Sequence, residues 1–405
     1  MKILVYAHRL EVGGTQLNAI ELAAALRDLH GFEVVMFAQP GPMVRLIEEK
    51  SLRFLPAPDA RFHPSPARMR ALRDAVRREK PDLVHTWDWW QCLDAYCAVY
   101  LPMRIPMVVS DMMMDLTRVL PKRLPTTFGV PELVVRAKAA NRHRVELIVP
   151  PVDVHYNAPG VVDPQPFRER YGIEKGDITL VTVSRLAEWM KAESLIRTVD
   201  AIRKLGRDLP LRFLIVGDGA ARVKLERLAN ETNADLGRSA VVFTGALLDP
   251  RPAYAAADIV VGMGGSALRG MAFGKAVIIV GERGFSTPFT PESAGTFYYK
   301  GIYGIGNDNP SNARLVTDIR ELIECPGRLS ALGEFSRQFV VRYFSLETVS
   351  TRFAELCRKV VAETPSFRLA TADGLRTAAV YLRERRFLTP SRDRVPKDGL
   401  ADGAP

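Results

Sequence analysis

The sequence predicts an α/β protein made of two doubly wound, Rossmann-like domains, and three observations carry that prediction. Short apolar runs alternate with amphipathic helices through most of the chain, the signature of parallel sheets with helices on both faces. The alternation breaks in a proline-rich stretch over 150–170 and then resumes. The length, 405 residues, suits two domains that each bury a core.

Taken in order, the expected strands of the first half are Ile3–Ala7, Phe32–Phe37, Leu83–Thr86, Met107–Ser110 and Leu147–Val149. The clearest helix between them is Thr15–Arg27, with Leu17, Ile20 and Ala24 on one face. Pro150, Pro151, Pro159, Pro164 and Pro166, with Gly160, then read as a linker, because proline lacks a backbone donor and interrupts regular elements. The second series has strands at Thr179–Ser184, Arg212–Val216, Val241–Thr244, Ile259–Val261 and Val277–Val280. Its helices fall near Ala192–Leu205 and Arg222–Asn230. A further helix, Leu346–Val361, carries Val349, Phe353, Leu356 and Val360 at helical spacing. The domains are therefore set at 1–160 and 161–345, with a helix at 346–364 and a basic segment at 365–405. In that segment Leu375, Ala379 and Leu382 form an apolar stripe beside Arg376, Arg383, Arg385 and Arg386, and Thr389–Pro405 reads as a disordered tail.

Composition narrows the function. Hydrophobic residues make up 47% and charged residues 25%, ordinary values for a soluble globular chain. No apolar run approaches the ~18 residues of a membrane span, and the N-terminus lacks a signal peptide's features. The protein is read as cytoplasmic. Cys92, Cys97, Cys325 and Cys357 are scattered and read as small buried hydrophobes, with neither a disulfide nor a structural metal expected. The net charge of +10 suits phosphate-rich small molecules or a membrane surface. No nucleic-acid module is visible, so no nucleic-acid partner is expected. His8, His63, His143 and His155 show no partner pattern and read as structural or surface residues.

In doubly wound sheets ligands bind beyond the carboxyl ends of the strands, and the notable residues cluster there. Gly13 and Gly14 follow the first strand and open a helix, where free amides suit an anion. A tight turn explains the same pair, which is not the three-glycine dinucleotide fingerprint. Arg185 and Lys191 follow the first strand of the second domain, where two cations could grip a diphosphate. Gly264, Gly265 and Ser266 end a later strand and would expose amides to phosphate. In the first domain, Trp87, Trp89 and Trp90 suit stacking on a sugar or on an aromatic or lipid acceptor, and helix packing accounts for them as well. Asp88 could accept a proton or bind a hydroxyl, and Asp111 ends the next strand.

These blocks together resemble the family-4 retaining glycosyltransferases of the GT-B architecture, over roughly residues 1–362. The resemblance rests on Gly13-Gly14, Pro81-Asp82-Leu83-Val84-His85, Val183-Ser184-Arg185-Leu186 with Lys191, and Leu214–Gly219. It continues through Val242-Phe243-Thr244-Gly245, Ala253–Asp258 and Met271-Ala272-Phe273-Gly274-Lys275, in the family's order. It implies two Rossmann-like domains facing a central cleft, and a C-terminal helix that returns to the first. Arg185 and Lys191 would hold the diphosphate of a nucleotide-sugar, which is the co-substrate in place of any cofactor. Gly245 would lie near the nucleobase, Gly13 and Gly14 beside the donor phosphate and sugar, and His85 close to the transferred sugar. Front-face attack without a divalent metal is implied.

One departure stands out. The family's two glutamates before the Met-Ala-x-Gly block are missing; Arg269 aligns with the second, and the first has no counterpart. A guanidinium donates hydrogen bonds but accepts none. Glu282 and Glu292 are candidate replacements. The leading expectation is a retaining glycosyltransferase whose acceptor is a small molecule, a glycan or a lipid-linked molecule. A catalytically degenerate scaffold acting as a binding or partner protein is the alternative, and an epimerase on the same architecture ranks last. The basic C-terminal helix points to peripheral contact at the inner membrane face, although a solvated helix is the simpler account.

Overall fold

A computed structural model describes residues 1–60, 64–308, 312–363 and 367–386. The chain divides into two compact units, one of Met1–Pro151 with the segment beginning at Leu346, the other of Val152–Ser345.

The first unit begins β1 (Lys2–Tyr6), α1 (Gly14–His30), β2 (Glu33–Ala38), α2 (Val44–Glu49), β3 (Arg53–Pro56) and α3 (Pro66–Glu79). It continues with β4 (Leu83–Trp87), α4 (Asp88–Ala95), a π-helical turn (Tyr96–Tyr100), α5 (Leu101–Met103) and β5 (Met107–Asp111). After these come β6 (Thr126–Phe128), α6 (Pro131–Ala139) and β7 (Val145–Leu147). The seven strands are all parallel, in the order β3-β2-β1-β4-β5-β6-β7. The chain first winds from β1 towards β3, then crosses to β4, so the topological switch lies between β1 and β4. Both are buried along nearly their whole length, as central parallel strands covered on two faces must be.

The second unit holds α7 (Gln165–Arg170), β8 (Ile178–Val183), α8 (Ala192–Leu205), β9 (Leu211–Val216), α9 (Arg222–Leu236) and β10 (Val241–Gly245). Then follow α10 (Arg251–Ala256), β11 (Ile259–Gly262), α11 (Gly265–Ala272), β12 (Ala276–Val280), β13 (Ser286–Pro288), α12 (Pro291–Lys300), α13 (Ala313–Glu324) and α14 (Arg328–Phe344). Its strand order is β10-β9-β8-β11-β12-β13, with only β13 antiparallel, and the switch lies between β8 and β11. The core interleaves Leu180, Phe213, Ile215 and Val261 of the sheet with Leu195, Val199 and Ile202 of α8. Helix α8 occupies the predicted Ala192–Leu205, because its apolar positions recur at the helical period.

Two helices close the described chain. Helix α15 (Leu346–Ala362) packs on α1, and α16 (Phe367–Arg386) packs on α5; both belong to the first unit.

Several sequence expectations need correction. The proline-rich stretch is not a bare linker: Val152 bridges to Ser345, and Gln165–Arg170 is helical with Pro166 at its start, where a missing donor costs nothing. The unit boundary falls at Pro151 rather than at 160. The last strand of the first unit is Val145–Leu147, not Leu147–Val149. Cys97 and Cys325 are exposed, whereas Cys92 and Cys357 are buried as expected. The Leu375, Ala379 and Leu382 stripe lies on a helix but faces outward. His63 and the tail 389–405 lie outside the described residues. Among the described residues no helix is long and apolar enough to cross a membrane.

Candidate functional site

In the second unit, the loops that leave β8 and β11 flank the switch point. The β8 loop carries Arg185, which is exposed, and Lys191, which is half-buried at the start of α8. The Lys191 ammonium is pushed down to about 8, first by burial and then by the positive charge of Arg185, while Glu282 works in the opposite direction. Two cations are thus held close enough to repel each other, and an anion between them would relieve that cost.

Backbone contacts fix this loop. The Ser184 amide donates to Val216 (2.9 Å), the Leu186 amide to Asp218 (2.9 Å), and the Ala221 amide returns to Leu186 (2.8 Å). The approach requires glycine in the β9 loop. Gly217 has φ 145, and a Cβ there would lie 1.8 Å from the Ser184 carbonyl oxygen; Gly219 has φ 153, with the Leu186 oxygen at 2.7 Å. The sequence motif Gly217-Asp218-Gly219 is therefore the cradle of the Arg185 loop. Gly245, at the end of β10, joins the same edge, its carbonyl accepting from the Gly217 amide at 2.9 Å.

Gly264 caps α11, whose first turn holds Gly265 and Ser266 and contains no acidic residue. No side chain caps this terminus; the Gly264 amide donates to the Ile302 carbonyl at 2.6 Å, which leaves the first-turn amides of Gly265 and Ser266 to an anionic ligand. The Tyr254 hydroxyl donates to Ser266 Oγ at 3.3 Å. Arg269 is 9% exposed and reaches back to the Gly265 carbonyl through Nη1 at 3.2 Å, so its guanidinium joins the start of the helix. Glu282 follows β12 at the same sheet edge; its carboxylate accepts from the Tyr303 hydroxyl, and its amide donates to Gly304 at 3.1 Å. Glu193 holds the next turn, accepting from the amides of Arg283 (2.8 Å) and Gly284 (2.6 Å). Glu292 is elsewhere. Strand β13 runs antiparallel to β12, with Pro288 opposite Ile278, so the chain has returned to the other end of the sheet before α12 begins. That excludes Glu292 as a partner of the β8 and β11 loops.

In the first unit, Gly13 caps the 17-residue α1 with no side-chain cap and no acidic residue in the first turn, leaving amides open beside Gly14. At the same switch point, Asp88 starts α4 with φ 57, an uncommon backbone for a non-glycine residue. Its Oδ2 lies 2.8 Å from His8 Nε2, and its Oδ1 accepts from the Met112 amide at 2.7 Å. His8 was expected to lack a partner; the structure joins it to Asp88 across 80 residues of chain, a pairing that no local pattern reveals.

Three residues expected to touch ligand are sealed inside the sheet instead. His85 is 1% exposed, with Nε2 2.8 Å from Ser110 Oγ, which in turn lies 2.8 Å from Thr127 Oγ1. Burial lowers its imidazole to about 3, so the ring is neutral. Trp87 is fully buried beside it. Asp111 is fully buried too; burial, and then Asp88, raises its carboxyl well above the usual range. The physical reason is common to all three: they stand on β4 and β5, interior strands of a sheet covered on both faces. Trp89 is half-buried, packed against the core and edge-on to Trp90.

The sequence matches the Glycosyltransferase Family 4 model over residues 12–118 and the Glycosyl transferases group 1 model over residues 177–298. No curated protein matches it. The fold is similar to that of a glycosyltransferase from Rickettsia africae, with TM-score 0.70 and 15% identity over 89% of this chain and 99% of that one. It is similar to Anabaena HepE, solved with UDP-glucose, with TM-score 0.69 and 17% identity over 89% of this chain and 100% of that one. It also resembles WaaG, a glycosyltransferase involved in lipopolysaccharide biosynthesis, with TM-score 0.61 and 15% identity over 88% and 99% of the two chains.

Proposed function

Since the chain belongs to the GT-B glycosyltransferases, with a family-4 model followed by a group-1 model, we propose that it transfers a sugar from a nucleotide-diphosphate donor held by the second unit. The observation that carries this reading is the Arg185 and Lys191 pair at the β8–β11 switch point, beside the open start of α11. In this reading the two cations take the diphosphate and neutralise charge on the leaving group. Amides of Gly265 and Ser266, presented by the turn at Gly264, add to that, Gly245 lies at the nucleobase side, and Arg269 and Glu282 contact the donor sugar or its phosphate. Arg269 brings donors where a carboxylate would accept, so the donor's ribose or sugar hydroxyls would act as acceptors to it. Transfer proceeds with retention and without a divalent metal. In the first unit Asp88, oriented by His8, binds the acceptor hydroxyl, and the open amides at Gly13 and Gly14 suit a phosphate group.

A second reading, a non-catalytic binding scaffold, is favoured by Arg269 standing where the resemblance implies glutamate. Calorimetric titration with UDP, GDP and TDP tests both readings, alongside Arg185→Ala and Lys191→Ala. UDP leads the series because HepE was solved with UDP-glucose. Micromolar binding of one nucleotide, weakened roughly tenfold or more in each variant, supports the donor site. Product formed from the matching nucleotide-sugar then separates enzyme from scaffold. Folded protein that binds none of the three would sink the transferase reading.

A further inference from the structure

We propose that the outward face of α16 is a docking surface for an anionic phospholipid bilayer. The inference goes beyond the sugar-transfer reading and does not depend on it.

Helix α16 is inverted relative to an ordinary surface helix. Its packed face is small and polar: Ala370, Asp373 and Thr377 are 7%, 6% and 4% exposed. The Asp373 carboxylate accepts from the Arg123 amide at 2.8 Å and from Arg376 at 3.0 Å. Arg376 donates onward to the Leu120 carbonyl at 2.8 Å, and the Tyr96 hydroxyl donates to the Ala370 carbonyl at 2.6 Å. The opposite face carries the apolar residues. Leu375 and Leu382 are 71% and 63% exposed, and Ala372, Ala378 and Ala379 are exposed with them. An amphipathic helix in a soluble domain turns its apolar stripe to the core. Here hydrogen bonds and an ion pair fasten the helix by its polar side and hold the leucines in water.

Charge selects the occupant. Exposed Arg368 and Arg383 border the leucine stripe, and exposed Arg123 sits on the loop against which the helix is fastened. The helix has five arginines against Asp373 and Glu384, and Asp373 is already neutralised by Arg376. The whole chain carries +10. A cationic rim around a shallow apolar stripe matches anionic headgroups over acyl chains. A protein partner fits less well: a stable interface needs about 800 Å² from each side, whereas this stripe offers two leucines and alanines along a rod ~30 Å long.

The test is co-sedimentation of the full chain with phosphatidylglycerol–phosphatidylcholine vesicles and with pure phosphatidylcholine vesicles, at low and high salt. Wild type should partition onto the anionic vesicles, weakly onto neutral ones, and less as salt rises. Leu375→Asp with Leu382→Asp should lose roughly tenfold or more, as should Arg368→Glu with Arg383→Glu at low salt. These side chains face solvent, so each variant should keep the wild-type melting profile. Leu375→Trp gives a second readout that needs no destabilising change: its emission should shift to the blue on anionic vesicles. Failure to bind anionic vesicles, equal binding to both compositions, or undiminished binding by the leucine variant overturns the proposal. A concentration-dependent dimer that the leucine variant abolishes, in protein that ignores vesicles, also overturns it.

Discussion

Gly217→Ala is the perturbation that most directly tests how the cationic loop is held. Alanine at φ 145 costs about 1–3 kcal/mol in backbone strain alone. The new Cβ would lie 1.8 Å from the Ser184 carbonyl oxygen, where contacts under 3.0 Å are essentially never seen. The neighbour is backbone, so the loop itself must retreat by more than an ångström. That movement pulls on the 2.9 Å bonds from Ser184 to Val216 and from Gly217 to Gly245, each worth about 0.5–1.5 kcal/mol. The total loss comes to about 2–6 kcal/mol, or roughly 10 °C in the melting of a unit this size. Gly160→Ala is the control, because Gly160 has φ 79 but open space around it; it should cost only about 1–2 kcal/mol. Scanning calorimetry on the three proteins reads the difference, and nucleotide titration reads the displaced Arg185. If Gly217→Ala melts no lower than Gly160→Ala, the loops are not held backbone to backbone as described.

Three further outcomes follow from the same geometry. Lys191 titrates at about 8 in the folded chain against 10.5 when unperturbed, so protonation opposes folding. Stability is greatest above the higher value, declines as pH falls between the two, and is flat below 8. Lys191→Met should therefore stabilise the folded chain at pH 7 by about 3 kcal/mol, and so raise its melting temperature, while weakening nucleotide binding; a variant that loses both stability and affinity would refute the idea of a cation held at a cost for its ligand. His85 shows the acid-side counterpart: its folded value of about 3 lies below 6.5, so its contribution is complete above 6.5 and is lost as pH falls towards 3. His85→Ala should lose about 2–4 kcal/mol of stability, melt lower, and leave the nucleotide dissociation constant unchanged; a melt like wild type with lost affinity would return His85 to the site. Glu193→Ala frees the amides of Arg283 and Gly284 and should weaken donor binding by about 1 kcal/mol, readable by calorimetry. Unchanged affinity would place Glu282 outside the donor site.

Much of the architecture was legible because interior strands are continuous apolar runs. The central strands β1, β4, β5, β8, β9, β11 and β12 all emerged within a residue or two of their observed limits. The strands that escaped lie at edges or are short. Arg53–Pro56 is an edge strand ending in proline, Thr126–Phe128 has only three residues, and Ser286–Pro288 runs antiparallel. None has the length or apolarity that marks a strand in sequence. The cationic loop was legible because cations directly after a strand occupy the ligand edge whatever the fold's details. The first unit was harder. Trp87 and His85 look like ligand residues in a list, but their strand is buried on both faces, which only the neighbouring strands decide. The His8–Asp88 pair is set by the β1–β4 adjacency, and a cross-connection leaves no trace in local spacing.

The discontinuity of the first unit has a consequence for the order in which the protein is made. Its sheet is encoded before Pro151, yet α15, which covers α1 and brings Phe353 against His85 at 4.5 Å between ring centroids, is encoded after Ser345. On a ribosome the second unit is fully synthesised while the first still lacks this cover. The unit that starts first therefore finishes last, and a chain that stalls before Leu346 leaves the apolar side of α1 uncovered, a ready target for chaperone capture and degradation.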